Sequence, residues 1–104
     1  MKKKNDDLAA EEEVNFQKVR TFQSVEEKIA ALREAAIGHA FVIRRDDGSK
    51  DVVDAITAGV IVKVYDNIND QNRVKYGAMS IEMMAGIAWK MVERGTIAVS
   101  FGNR

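Results

Sequence analysis

The chain contains no cysteine. Disulfides and thiolate metal sites are therefore excluded, and a reducing compartment suits the composition. Proline is absent as well, and nothing follows from that. There is no excess of either charge, because 16 basic and 16 acidic side chains leave a formal net charge of zero. A balanced chain has no overall field to draw in nucleic acid or an anionic membrane, although a local patch can still form. No apolar run approaches the ~18 residues of a membrane span. Lys2, Lys3 and Lys4 are followed by no apolar segment, so the N-terminus is not expected to act as a signal peptide. No internal repeat and no Gly-rich phosphate loop is present, and Gly59 and Gly77 stand isolated. The 104 residues suit one domain able to bury its own core.

Ser80 to Glu93 reads as the helix around which the chain is arranged. Ser80 suits the N-cap, Glu82 the positive end of the helix dipole, Arg94 the negative end, and Gly95 a left-handed stop. At about 100° per residue Ile81, Met84, Ala85, Ala88, Met91 and Val92 share one face, and Ile87 and Trp89 widen it to roughly 200°. So wide an apolar arc needs more than one neighbour, either the rest of the domain or another chain.

Residues 1–23 form a charged arm. Asp6 or Asp7 can cap a helix there, with Glu11–Glu13 early and Lys18 and Arg20 late. One reading is a frayed, partly helical arm; the other is an arm that orders on a partner through Phe16, Val19 and Phe22. Residues 24–104 form the domain proper. Ser24 and Glu27 have the spacing of a capping box, Val25, Ile29, Leu32 and Ala36 follow along one narrow face, and Gly38 ends that helix.

The period then changes. Two β-rich runs, Ala40–Arg45 and Lys50–Asp54, flank Asp47-Gly48, the strongest short-range hairpin signal. A two-residue loop at Asp47-Gly48 sets Ile43 opposite Val52, Val42 opposite Val53, Arg44 opposite Asp51 and Arg45 opposite Lys50. Thr57 is expected to cap a helix from Ala58 to Ile68, with Ile61, Val64, Tyr65 and Ile68 inside. The β-branched run Val60–Tyr65 also reads as a strand. Asn69 caps a short helix from Asp70 that stops at Gly77. Thr96–Phe101 alternates, placing Ile97, Val99 and Phe101 on one side of a third strand. The expected fold is α+β: a hairpin and a C-terminal strand in a small antiparallel sheet, packed on three or four helices.

Chemistry-bearing residues are sparse. His39 is the only histidine, has no nucleophile near it in sequence, and suits a helix C-terminus. Asp46, Asp47, Asp51 and Asp54 lack the spacing of a calcium loop and read as turn formers and a ladder salt bridge. Asp66 and Asp70 read as a solvated face. No catalytic residues, cofactor or metal site can be named, and the protein is not expected to be an enzyme. Arg44, Arg45 and Lys50, with Lys2–Lys4, make a basic patch that Asp46 and Asp47 offset, so nucleic acid is a weak expectation only. Met79, Met83, Met84 and Met91 gather around Trp89, as core filler or as an adaptable binding surface.

The stretch from Phe41 to Met79 resembles small proteins of tailed bacteriophages. The residues concerned are Asp47-Gly48, Asp54, Thr57-Ala58, Val64-Tyr65-Asp66, Asn69 and Asn72-Arg73, and Ile87-Ala88-Trp89-Lys90 is similar in character to the helix that follows in such proteins. The resemblance carries no catalytic residues. It implies a virion component or a small host-interacting protein, located in the particle or the cytoplasm. The main expectation is thus a non-enzymatic assembly protein that contacts copies of itself or a larger protein. Its candidate interface residues are Phe16, Val19, Phe22, Met83, Met84, Ile87, Trp89, Val99 and Phe101. A small regulatory binder of a host or cellular protein is the alternative, and a nucleic-acid accessory protein the second alternative. On the assembly reading, Trp89→Ala or Met84→Asp abolishes association while leaving the circular dichroism native.

Overall fold

The computed structural model describes residues 18–97. The element order is α1 (Val25–Ala36), β1 (Phe41–Arg44), β2 (Lys50–Val53), α2 (Ala55–Asn67), α3 (Asp70–Gly77) and α4 (Ile81–Glu93). The fold is α+β, four helices with a two-stranded antiparallel sheet among the described residues.

Helix α2 occupies the middle, in contact with α1, α3 and α4. Its sequence AITAGVIVKVYDN is rich in β-branched residues, which cost a few tenths of a kcal/mol each in a helix. Burial outweighs that cost. Val60, Ile61 and Val64 are almost wholly excluded from water, at about 1.5–3 kcal/mol apiece. The strand reading of Val60–Tyr65 therefore gives way to the helix. Asp54, not Thr57, caps it: the Asp54 carboxylate accepts the Thr57 N–H at 2.8 Å, so α2 begins earlier than expected. Both are good capping residues, and only the path of the chain out of β2 selects between them.

Helix α1 begins as expected. Ser24 Oγ accepts the Glu27 N–H at 3.1 Å, and Glu27 Oε1 accepts the Gln23 N–H at 2.9 Å. It ends in a Schellman turn, with Gly38 at φ 115°, the Gly38 N–H on Ala35 O and the His39 N–H on Glu34 O. Asn69 and Ser80 cap α3 and α4 in the same way. Gly77 is the last residue of α3 but does not turn the chain. A Cβ there would lie 2.9 Å from Val25 Cγ1, so it permits close approach of α1.

The hairpin forms, in a register one residue away from the expected one: Phe41 faces Val53, Val42 faces Val52, Ile43 faces Asp51 and Arg44 faces Lys50. The loop has an extra residue. The Gly48 N–H bonds Arg45 O, Gly48 sits at φ 89°, and the Arg45 N–H bonds Ser49 O at 2.7 Å, a turn followed by a one-residue bulge. Asp47 holds it by accepting both the Ser49 N–H and hydroxyl. Since strand faces alternate, the slip moves Val53 onto the inner face with Phe41 and Ile43, and Val52 onto the outer one.

Residues 19–22 run extended beside β1 rather than as a helix. Val19 makes a parallel bridge to Val42, and the Arg20 N–H bonds Val42 O at 2.8 Å. Phe22 meets Phe41 edge-on, and the Arg20 guanidinium lies over both rings. Packing therefore begins before Ser24. At the other end, Gly95 at φ 76° closes α4, and Thr96 and Ile97 donate to Met91 O in a turn, not a strand. Ile97 is buried in the core. The remainder of the expected third strand lies outside the described residues.

Candidate protein-contact surface

Helix α4 buries Ile81, Met84 and Ala88. Its first turn also holds the hairpin: Glu82 accepts the Asp46 N–H and pairs with Arg45 at 3.5 Å, and Arg45 in turn pairs with Asp51 at 3.0 Å. This bracket leaves a groove of about 430 Å³ between α4 and β2. Val52, Val53 and Thr57 line one wall, and Ala85, Gly86 and Trp89 the other. Gly86 adds nothing to fill it, because a Cβ there would meet no atom within 4 Å. The wall combines an aromatic side chain with two small residues, which allows a backbone to approach closely.

The expected interface residues are dispersed. Trp89 lines the groove, half-buried. Ile87 lies on the opposite flank of α4, also half-buried, near the exposed Met83. Met84 is wholly buried and belongs to the chain's own core, so it offers no surface. Val19 and Phe22 are used within the chain, as described above. Phe16, Val99 and Phe101 lie outside the described residues, as do Lys2–Lys4. Sequence reading missed Val52 and Gly86. Val52 was hidden by the register, while Gly86 was visible as an unfilled position on an otherwise apolar helix.

A second groove, of about 340 Å³, lies under the 19–25 segment, between it, the end of β1 and the α3–α4 turn. Lys28 reaches into this region to donate to Met79 O, and its burial lowers the ammonium pKa. Arg20 and Arg44 line the groove beside Asp46 and Glu82, so charges of both signs share it.

The titratable groups are paired in ways that suit structure. Arg33 bridges α1 to α2 through two bonds to Asp66, at 2.7 and 2.9 Å, and that guanidinium holds the Asp66 carboxyl below its usual range. Arg73 binds Tyr65 O, Ile68 O and Asp70, tying α3 to the end of α2. Asp66 and Asp70 are thus ion-pair partners of different arginines. Tyr76 donates to Met84 O in the core, where burial raises its hydroxyl pKa far above the ordinary value. The hairpin cations are engaged too, Arg44 with Gly48 O and Arg45 with two carboxylates. Asp47 accepts from Ser49, which lowers its pKa. His39 is exposed at the end of α1. Among the described residues no group of three or more His, Cys, Asp or Glu is placed to hold a metal ion. None of the described helices is long and apolar enough to cross a membrane.

No protein-family model, curated protein or solved structure matches this chain. The geometry of the chain itself is what bears on its role.

Proposed function

We propose that this protein acts by protein–protein contact, as a non-enzymatic assembly component. The observation that carries the reading is the groove between α4 and β2, with Trp89 on one side and β2, an edge strand among the described residues, on the other. An edge strand offers backbone donors and acceptors to an added chain, and an aromatic wall supplies the apolar contact that desolvates them. The resemblance of Phe41–Met79 to small tailed-phage proteins suggests a virion as the setting, with assembly starting in the cytoplasm. Nucleic acid is not part of this reading, because the hairpin arginines are already spent on Gly48, Asp51 and Glu82.

Gly86→Arg tests the proposal. The position is exposed, helical and open, so a long side chain should enter the groove without disturbing the core. Light scattering after size exclusion, across a wide concentration range and at two salt levels, reads self-association. Capture of a single defined protein at fixed stoichiometry reads a foreign partner. Loss of either association with unchanged circular dichroism supports the reading, and association as strong as in the parent overturns it.

A further inference from the structure

We infer that two copies of this chain exchange their 19–22 segments, each laying its own on β1 of the other. The exchange takes place on the β1 side of the sheet, whereas the groove proposed above lies against β2, so the two contacts are separate. Its basis is where the contacts of the segment go. Val19 bridges Val42, and the Arg20 N–H bonds Val42 O at 2.8 Å. Phe22 meets Phe41 with ring centres 5.6 Å apart, and the Arg20 guanidinium stands 5.2 and 5.4 Å from the centres of those two rings. Each of these contacts reaches β1 or stays within the segment. An identical segment from a second copy makes the same set on the same strand, so exchange loses none of them. Beneath the segment lies the cavity of about 340 Å³, so part of its inner side meets space and not side chains.

The joint decides how the segment can leave. Phe22 still touches β1 and Ser24 already caps α1, so Gln23 alone connects the two. The chain bends at Gln23 and Ser24. Connections this short invite exchange, because opening the bend sends the segment to a neighbour with every contact remade there. Helix α1 does not depend on where the segment lies. Its start is closed locally, by Ser24 Oγ on the Glu27 N–H and by Glu27 Oε1 on the Gln23 N–H, and this box is the same in either arrangement. Strand β1 does depend on it. An empty edge would leave Val42 O without the Arg20 N–H and would bare the Phe41 ring, now 3% exposed, where Phe22 covers it. Departure of one segment is therefore coupled to arrival of another, and a second copy carries the one that fits.

The absence of native cysteine makes the test direct. Paired strands stand about 4.7–4.9 Å apart, inside the roughly 4.4–6.8 Å that a disulfide spans between Cα atoms. Full-length Val19→Cys and Val42→Cys chains, with one cysteine each, are unfolded together in urea, refolded as a mixture and oxidised with glutathione disulfide. Neither can link internally, so a disulfide between positions 19 and 42 reports the segment of one copy on β1 of another. The ratio of this dimer to monomer should rise about tenfold for a tenfold rise in concentration in the dilute range. It should also exceed that from Val74→Cys mixed with Val42→Cys, Val74 being 73% exposed on α3. A double variant with both Val19→Cys and Val42→Cys should close on itself when refolded dilute and give covalent dimers when refolded concentrated. Gly86→Arg, placed in the other groove, should leave the yield unchanged. Two outcomes overturn the inference. If the mixture links no better than the Val74→Cys control and the double variant closes internally at every concentration, each segment stays on its own chain. If the double variant does not close at all, residues 19–22 do not lie on β1. In either case, association that Gly86→Arg still abolishes leaves the assembly reading standing on the groove alone.

Discussion

Gly77→Ala sets two effects of similar size against each other. Gly77 is the last residue of α3 and is not among the glycines with positive φ, so alanine fits its backbone. Better helix propensity and a less flexible unfolded chain should gain about 0.5–1 kcal/mol. Against this, the new Cβ would lie 2.9 Å from Val25 Cγ1 and 3.3 Å from Tyr65 Cε1. Neither neighbour yields easily. Val25 has a stiff χ1 in the first turn of α1, and Tyr65 carries the Arg73 guanidinium 5.4 Å above its ring centre. Overpacking of this kind costs about 1–3 kcal/mol. The cost wins, for a net loss of about 1 kcal/mol, read as a melting midpoint about 4–8 °C lower by thermal denaturation. The decisive assay repeats the substitution in a Val25→Ala background. There Cγ1 is gone, the clash with it, and Gly77→Ala should be neutral or stabilising, a coupling of about 1–2 kcal/mol between the two sites. A Gly77→Ala protein more stable than its parent, or a cycle in which the two changes simply add, would refute close approach as the reason for this glycine.

Three further outcomes are expected. Asp54→Ala should lower stability in urea by about 1 kcal/mol, while Thr57→Val should stay within about 0.5 kcal/mol; the reverse ranking would return the cap of α2 to Thr57. Met84→Asp should remove the helical circular dichroism altogether, since a buried unpaired charge in the core costs more than about 4 kcal/mol; a native spectrum would place Met84 at a surface after all. Arg33→Gln should cost up to about 1 kcal/mol at neutral pH, an amount limited by the near-half exposure of both partners, 48% and 45%. The Asp66 pKa is lowered in the folded chain, chiefly by its hydrogen bond to Arg33. Its stabilisation is therefore present above the unfolded carboxylate value, about 4, and is lost as pH falls through the lower folded value. Unfolding midpoints of Arg33→Gln and the parent should converge in acid, and a difference that persists there would assign the effect to packing of the arginine stem.

Much of the fold follows from chemistry confined to a few neighbouring residues. Ser24, Asn69 and Ser80 cap helices because each side-chain oxygen meets an N–H three residues on. Gly38 and Gly95 close them because each ending needs a left-handed residue. These are interactions within one turn, so reading the sequence locally finds them. The same reading could not choose between competitors that were locally equal. Asp54 and Thr57 both suit an N-cap, and Asp47-Gly48 serves a two-residue loop as well as the longer bulged one. The longer loop was decided by Asp47 gripping Ser49 and by the need to turn Val53 inward onto the core with Phe41 and Ile43. The docking of residues 19–22 was not legible because their partner, β1, is distant in sequence: Val19 pairs with Val42 and Phe22 with Phe41.

The sequence by itself determined the caps at Ser24, Asn69 and Ser80, the stops at Gly38 and Gly95, the presence of a hairpin and the apolar stripes of α1 and α4. Tertiary structure alone decided which part of each face is covered. Met83 and Met84 are adjacent on the helix that the sequence made central, yet one is 54% exposed and the other fully buried. That helix is itself peripheral, because α2 carries the buried Val60, Ile61 and Val64 and is the element in contact with every other helix. Periodicity reports which residues lie together on an element. Only the distances between elements determine which of them water can still reach, and so where a second chain can bind.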